Sequence, residues 1–187
     1  MITIVYAHPW DGSFNHAVLE ETIKTLKQNG QEYTLIDLNK DGFNPVLTES
    51  ELSVYGKSGY KDPLVDKYIK ILKATDKIVF VFPIWWIGAP AILKGFFDKV
   101  FLKDKIISFE NPSMTKVKKA LLLTTSELTT DALVNEFTDP IRVLNYPIKS
   151  MGAKEILWHN FGNIILSEEP ERVDYLNNVS GFVEELL

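Results

Sequence analysis

Five short apolar runs, rich in β-branched and aliphatic residues, punctuate this chain. The stretches between them carry helical periodicity. The runs are Ile2 to Ala7 (ITIVYA), Tyr33 to Leu38 (YTLIDL), Lys77 to Phe82 (KIVFVF), Ala120 to Thr125 (ALLLTT) and one opening at Glu155 to Trp158 (EILW). A strand with one wet face alternates apolar and polar side chains. Runs that are apolar at nearly every position belong instead in a sheet covered on both faces. Between the first two, Asn15 to Asn29 puts Val18, Leu19, Ile23 and Leu26 on one helical face and stops at Gly30. Asp62 followed by Pro63 is a cap and a first-turn proline, with Leu64, Val65, Tyr68, Ile69 and Leu72 as the apolar face. Pro90 starts a further helix bearing Ile92, Leu93, Phe96, Phe97, Val100 and Phe101. Ser167 opens the last, with Glu168, Glu169 and Glu171 at its positive end and Val173, Leu176, Val179, Val183 and Leu186 toward the core. Thr48 and Glu51 have capping-box spacing for a short helix, and YGKSGY, Tyr55 to Tyr60, reads as a loop.

Strands alternating with helices predict an α/β three-layer sandwich with a five-stranded parallel sheet. The expected strand order is 2-1-3-4-5. Its switch point lies between the first and third strands, where ligands bind outside the carboxyl ends. With 187 residues and no repeat, linker or low-complexity tract, residues 1–187 are expected to form a single domain.

The longest uncharged stretch, Ile78 to Leu93, raises the possibility of a membrane span. A span needs about 20 apolar residues, and Pro83, Gly88 and Pro90 interrupt this one. It reads instead as strand, turn and helix: IVFVF, PIWWIGAP and AILKGFFDKVF. The net charge of −5, with only the short patch Lys116, Lys118 and Lys119, argues against a nucleic-acid surface. The absence of cysteine removes disulfides, thiol redox chemistry and thiolate metal sites. No basic segment and apolar signal core follow Met1, so a soluble cytoplasmic protein is expected. No second histidine or carboxylate stands at ligand spacing from His8, His16 or His159, and no metal is expected.

Three loops fall at the expected crevice: HPWDGSFN, PIWWIGAP and TSELTT. In the first, the open amides of a helix start favour an anion, with Ser13 and Asn15 adding polar groups. The competing reading is that Ser13 or Asn15 simply caps the helix. His8 either bonds a phosphate or shapes the turn at Pro9, and Asp11 suits a phosphate site only if it points to solvent. The loop lacks the glycine spacing of a dinucleotide fingerprint, and no GxxxxGK[ST] occurs. In the second, Trp85 and Trp86 between two prolines suit a flat, partly apolar ligand, and Gly88 permits close approach. The alternative is that either indole is ordinary core.

AHPWDGSFN followed by FPIWWIGAPAILKGFFDKVF resembles the NAD(P)H:quinone oxidoreductases of the flavodoxin-like superfamily, whose pattern is roughly AH-x-x-x-x-SFN and FPL-x-W-x-G-x-PA-x-LKG-x-FD-x-VF. The likeness continues more loosely through LLLTT and WHNFGN. It implies a flavin, FAD or FMN, across the carboxyl edge of the sheet, with NAD(P)H as co-substrate and a quinone, azo or nitro compound as acceptor. It assigns His8, Ser13, Phe14 and Asn15 to the phosphate part, and Pro83, Ile84, Trp85, Trp86 and Ile87 to the ring. Thr124, Thr125, Ser126 and Glu127 go to the ring's other edge. It also implies a homodimer. Trp10, Tyr55, Tyr60 and His159 are candidates for the substrate wall. One departure matters. Characterised vertebrate quinone reductases follow the TT pair with two glycines, then a tyrosine and a histidine, whereas Ser126 and Glu127 stand here. A flavodoxin-type electron carrier, a regulatory subunit of a potassium-efflux system and a flavin-free binding module are the competing readings.

Overall fold

The computed structural model describes residues 1–55, 62–107, 114–137 and 139–187. Five parallel strands form one sheet in the order β2-β1-β3-β4-β5. They are β1 (Ile2–Tyr6), β2 (Tyr33–Asp37), β3 (Lys77–Ile84), β4 (Lys119–Ser126) and β5 (Glu155–Phe161). One row of side chains crosses it as Leu35, Ile4, Val79, Leu121 and Leu157. This row sits under α1 (Phe14–Gln28) and α7 (Glu169–Leu186), packed on Val18, Leu26, Val179 and Val183. Because strand side chains alternate faces, Val5, Ile36, Phe80 and Leu122 point the other way. They pack with α3 (Pro63–Lys73) and α4 (Ala91–Val100) through Tyr68, Leu72, Leu93, Phe96 and Phe97. A sheet covered on both faces explains why its strands read as unbroken apolar runs. Among the described residues no helix is long and apolar enough to cross a membrane.

The helix starts follow the capping chemistry. Ser13 caps α1, and Asp62 caps α3 ahead of Pro63. Thr48 and Glu51 form a reciprocal capping box on the one-turn α2 (Glu49–Leu52). Three expectations are corrected. The last helix is capped at Glu168, not Ser167, whose hydroxyl donates to the Ile164 carbonyl and accepts from Arg172 Nε. Val173 is 49% exposed rather than core, since it points out from the first turns of α7. Two helices between β4 and β5 were not anticipated: α5 (Thr130–Asn135) and α6 (Pro140–Ser150). They bury Leu133, Ile141, Leu144 and Ile148 on the α4 side.

One face of α4 receives the chain after β2. A Cβ at Gly95 would overlap the Pro45 backbone, so only glycine allows this approach. One turn on, the buried Lys99 ammonium donates to the Asn44 carbonyl at 2.9 Å and pairs with Glu51 at 2.8 Å and Asp62 at 3.0 Å. Lys99 thereby joins the caps of α2 and α3 to α4. Burial alone would lower its pKa, but the bonds and charges of Glu51 and Asp62 outweigh it and the net shift is upward. These groups line a cleft of about 190 Å³ with Thr48 and Ser50.

Candidate functional site

The β1–β3 switch point brings the first two loops together. The His8 ring lies 5.9 Å from the Trp85 indole, joining the loop after β1 to the turn after β3. The Trp10 amide donates to His8 Nδ1 at 3.1 Å, so the neutral imidazole carries its proton on Nε2. Burial holds His8 below the usual histidine range, which keeps the ring neutral at pH 7. Ser13 does cap the helix: its Oγ accepts from the His16 amide at 3.1 Å and lies 3.5 Å from the Tyr6 hydroxyl. Burial pushes that phenol up to about 12.

Asn15 is not a cap. Its buried side chain crosses to β4, where Nδ2 donates to Thr125 Oγ1 at 2.8 Å, and its Oδ1 has no hydrogen-bond partner among the described residues. The Phe14 and Asn15 amides, in the first turn of α1, make no hydrogen bond with described residues. Asp11 is exposed and paired with Lys40 at 2.9 Å, a bond that holds its carboxyl below the usual range. The acid in the anion-favouring loop is therefore already compensated.

The second loop is a two-residue hairpin. Trp85 and Gly88 exchange both backbone hydrogen bonds, at 3.0 and 3.1 Å, around Trp86 and Ile87. Both central residues sit at positive φ, 51° and 58°. That geometry suits asparagine and glycine; a tryptophan and a β-branched isoleucine occupy it under strain. The turn holds Trp86 fully exposed and Trp85 half exposed, and leaves the Trp86 and Ile87 amides without partners among the described residues. Neither indole is core. Pro83 and Ile84 are buried residues at the end of β3, so their side chains belong to the fold.

The end of β4 is held by a residue that sequence reasoning passed over. Asn160 Oδ1 accepts from Thr124 Oγ1 at 2.8 Å, and its Nδ2 donates to Ser126 Oγ and Thr130 Oγ1, both at 2.9 Å. Thr124 also accepts from Trp158 Nε1 at 2.8 Å. The Thr124 and Ser126 hydroxyls are thus committed to the fold, and Thr125 Oγ1 faces Asn15. Glu127 is exposed. The signal for Asn160 was its place in WHNFGN.

The proposed substrate wall does not assemble as expected. His159 faces α7, not the crevice: its ring stacks on Phe182 at 3.8 Å and Nε2 lies 3.3 Å from Glu185. It sits two residues short of the β5 end, on the strand face that packs against α7. Trp10 is exposed in the first loop. Tyr55 is half exposed, with no ring contact or hydrogen bond to crevice residues among those described. Tyr60 lies outside the described residues.

A family model described as a flavodoxin-like fold matches residues 1–172. The chain belongs to this family. As a flavodoxin-like protein it is similar to NAD(P)H dehydrogenase [quinone] 1 of Rattus norvegicus, 34% identical over 115 residues, which cover 53% of this chain and 42% of that one. It also matches an uncharacterized NAD(P)H oxidoreductase of Haemophilus influenzae, 36% identical over 109 residues, covering 58% of this chain and 54% of the other. These matches span about half the length of the relatives. Among solved structures it resembles Smu.1420 of Streptococcus mutans, at TM-score 0.84 and 26% identity over 98% of both chains.

Proposed function

We propose that the chain is a flavin-dependent NAD(P)H oxidoreductase that reduces quinones or similarly flat electrophiles such as azo and nitro compounds. The observation that carries this is the pairing, at one crevice, of an open helix start with a strained aromatic turn whose amides are unspent. Few ligands need both. A flavin nucleotide does: its phosphate matches the Phe14 and Asn15 amides at the positive end of α1, and its polar ring edge matches the Trp86 and Ile87 amides. The unpartnered Asn15 Oδ1 fits the same reading, because a ribityl hydroxyl is a donor within the class of groups it lacks.

A flavin held here would supply two-electron redox chemistry between NAD(P)H and the acceptor. The chain orients and shields. His8 offers one neutral donor through Nε2 beside the phosphate part, adding hydrogen bonding without charge. Trp85 and Trp86, exposed at the crevice, would offer the ring an apolar surface that limits its contact with water. Thr124 and Ser126 serve through Asn160, by fixing the β4 end, and Thr125 would act through Asn15, whose Nδ2 it accepts from. Trp10 and Tyr55 remain candidates for the acceptor wall. A homodimer in the cytoplasm is the assembly and location we propose, with light scattering of the purified protein as the test of the former.

The experiment is reconstitution with FAD and with FMN, identification of the flavin retained, and steady-state NAD(P)H oxidation with and without a quinone. Retained flavin and quinone-dependent turnover are expected. Failure to retain either flavin overturns the reading. Retention without turnover points to an electron carrier.

A further inference from the structure

We infer that Glu127 sets the charge selectivity of the crevice, disfavouring anionic acceptors and lowering the reduction potential of a flavin bound there. This rests on the flavin reading above. Strands β3 and β4 keep step to their ends, with Pro83 opposite Thr125 and Ile84 opposite Ser126. The next residues in that register are Trp85 and Glu127. Glu127 and Trp85 are therefore the first residues past the paired ends of two neighbouring strands.

Its backbone is fixed from several sides. Ser126 Oγ donates to the Leu128 carbonyl at 2.6 Å and accepts from Asn160 Nδ2 at 2.9 Å. The Ile164 amide donates to the Ser126 carbonyl at 3.0 Å, and the Asn163 amide to the Leu128 carbonyl at 3.2 Å. A Cβ at Gly162 would lie 2.9 Å from Thr129 Cα, so the two loops touch backbone to backbone. Against this hydrogen-bonded frame the Glu127 side chain is exposed and makes no hydrogen bond or ion pair with described residues. The contrast is Asp11, the acid of the first crevice loop, which Lys40 neutralises.

An uncompensated charge at a fixed place acts on whatever charge arrives beside it. An acceptor carrying a sulfonate or carboxylate meets repulsion that its neutral parent does not. A flavin gains negative charge on reduction, so the same field makes reduction harder. Exposed charges couple weakly, and the expected effect is roughly two- to fivefold in relative kcat/KM at low salt, fading as ionic strength rises.

The test compares the wild type with Glu127→Gln and Glu127→Asp, all loaded with flavin. One readout is kcat/KM for a sulfonated quinone relative to its unsulfonated parent, at low and high salt. The other is the midpoint potential of the bound flavin by dye-linked titration. Glu127→Gln is expected to raise the relative use of the sulfonated quinone, to lose that gain at high salt and to shift the potential upward, while Glu127→Asp stays near the wild type. A flavin-loaded Glu127→Gln variant with unchanged ratio and unchanged potential overturns the inference while leaving the flavin reading standing. Absence of bound flavin in the wild type overturns both.

Discussion

Replacing Trp86 by asparagine should make the flavin-free protein more stable. The indole is fully exposed, so its removal forfeits no buried apolar area. Its backbone, at φ 51°, lies in the left-handed region, which costs an ordinary L-residue roughly 1–2 kcal/mol. Asparagine tolerates that region better because its short amide bonds locally. Relieving part of the strain should raise unfolding free energy by about 0.5–1.5 kcal/mol. In a chain of this size that is a rise in Tm of roughly 1–6 °C. Ile87 is the poorer choice for the experiment, since its side chain packs on the core and its loss would mix burial with strain. Urea unfolding of both proteins without flavin is the assay, because a ligand that binds the wild type better would hide the change. The same variant should bind flavin or acceptor less well, a gain in stability set against function. A Trp86→Asn apoprotein equal to or weaker than the wild type would refute the argument that the turn is held under strain for the sake of its exposed ring.

Lys99→Met should destabilise the fold by about 2–4 kcal/mol in urea, because Glu51 and Asp62 lose a buried counter-ion but retain some access to water. Burial alone would raise the Glu51 carboxyl, but the bonds from Lys99 and Thr48 outweigh it and lower it, so its contribution is present above the unfolded value, near 4.3, and disappears as pH falls through the folded one; the acid limb of a stability–pH curve should be shallower in Lys99→Met. The His8 ring, held down by burial, should titrate below about 6.5 when its ring protons are followed by NMR in the apoprotein, and a midpoint above that value would contradict its neutral donor role. Gly162→Ala should cost about 1–3 kcal/mol in thermal or urea unfolding, because its Cβ would press on the Thr129 and Thr130 backbone, which cannot swing aside.

The sheet was legible because its strands are buried on both faces, which writes an apolar run without interruption; the 2-1-3-4-5 order followed as the expected arrangement for five such strands. The α6 helix was missed although Asp139 and Pro140 repeat the start signal of Asp62 and Pro63, with Asp139 capping the Ile141 amide at 2.9 Å. Pro147, inside the helix, reads as a breaker in a linear scan and is tolerated here. Trp85 and Trp86 could be placed in a turn from their flanking prolines, but not the sign of their φ angles, which depends on the two backbone bonds between Trp85 and Gly88. His159 was misplaced because a strand's last residues alternate faces, and the face is chosen by α7 through Phe182. Asn160 escaped because an asparagine declares nothing until Thr124, Ser126 and Thr130 are seen around it.

The LKGFFDK stretch, which contributes much to the family likeness, has duties that lie elsewhere than the ring. Gly95 yields space to Pro45 and Lys99 anchors two neighbouring caps, so this signature records a joint between segments. Anyone transplanting the region after β2 from a relative would have to carry both halves of that joint together: exchanged singly, each half meets the wrong counterpart, whatever happens at the crevice.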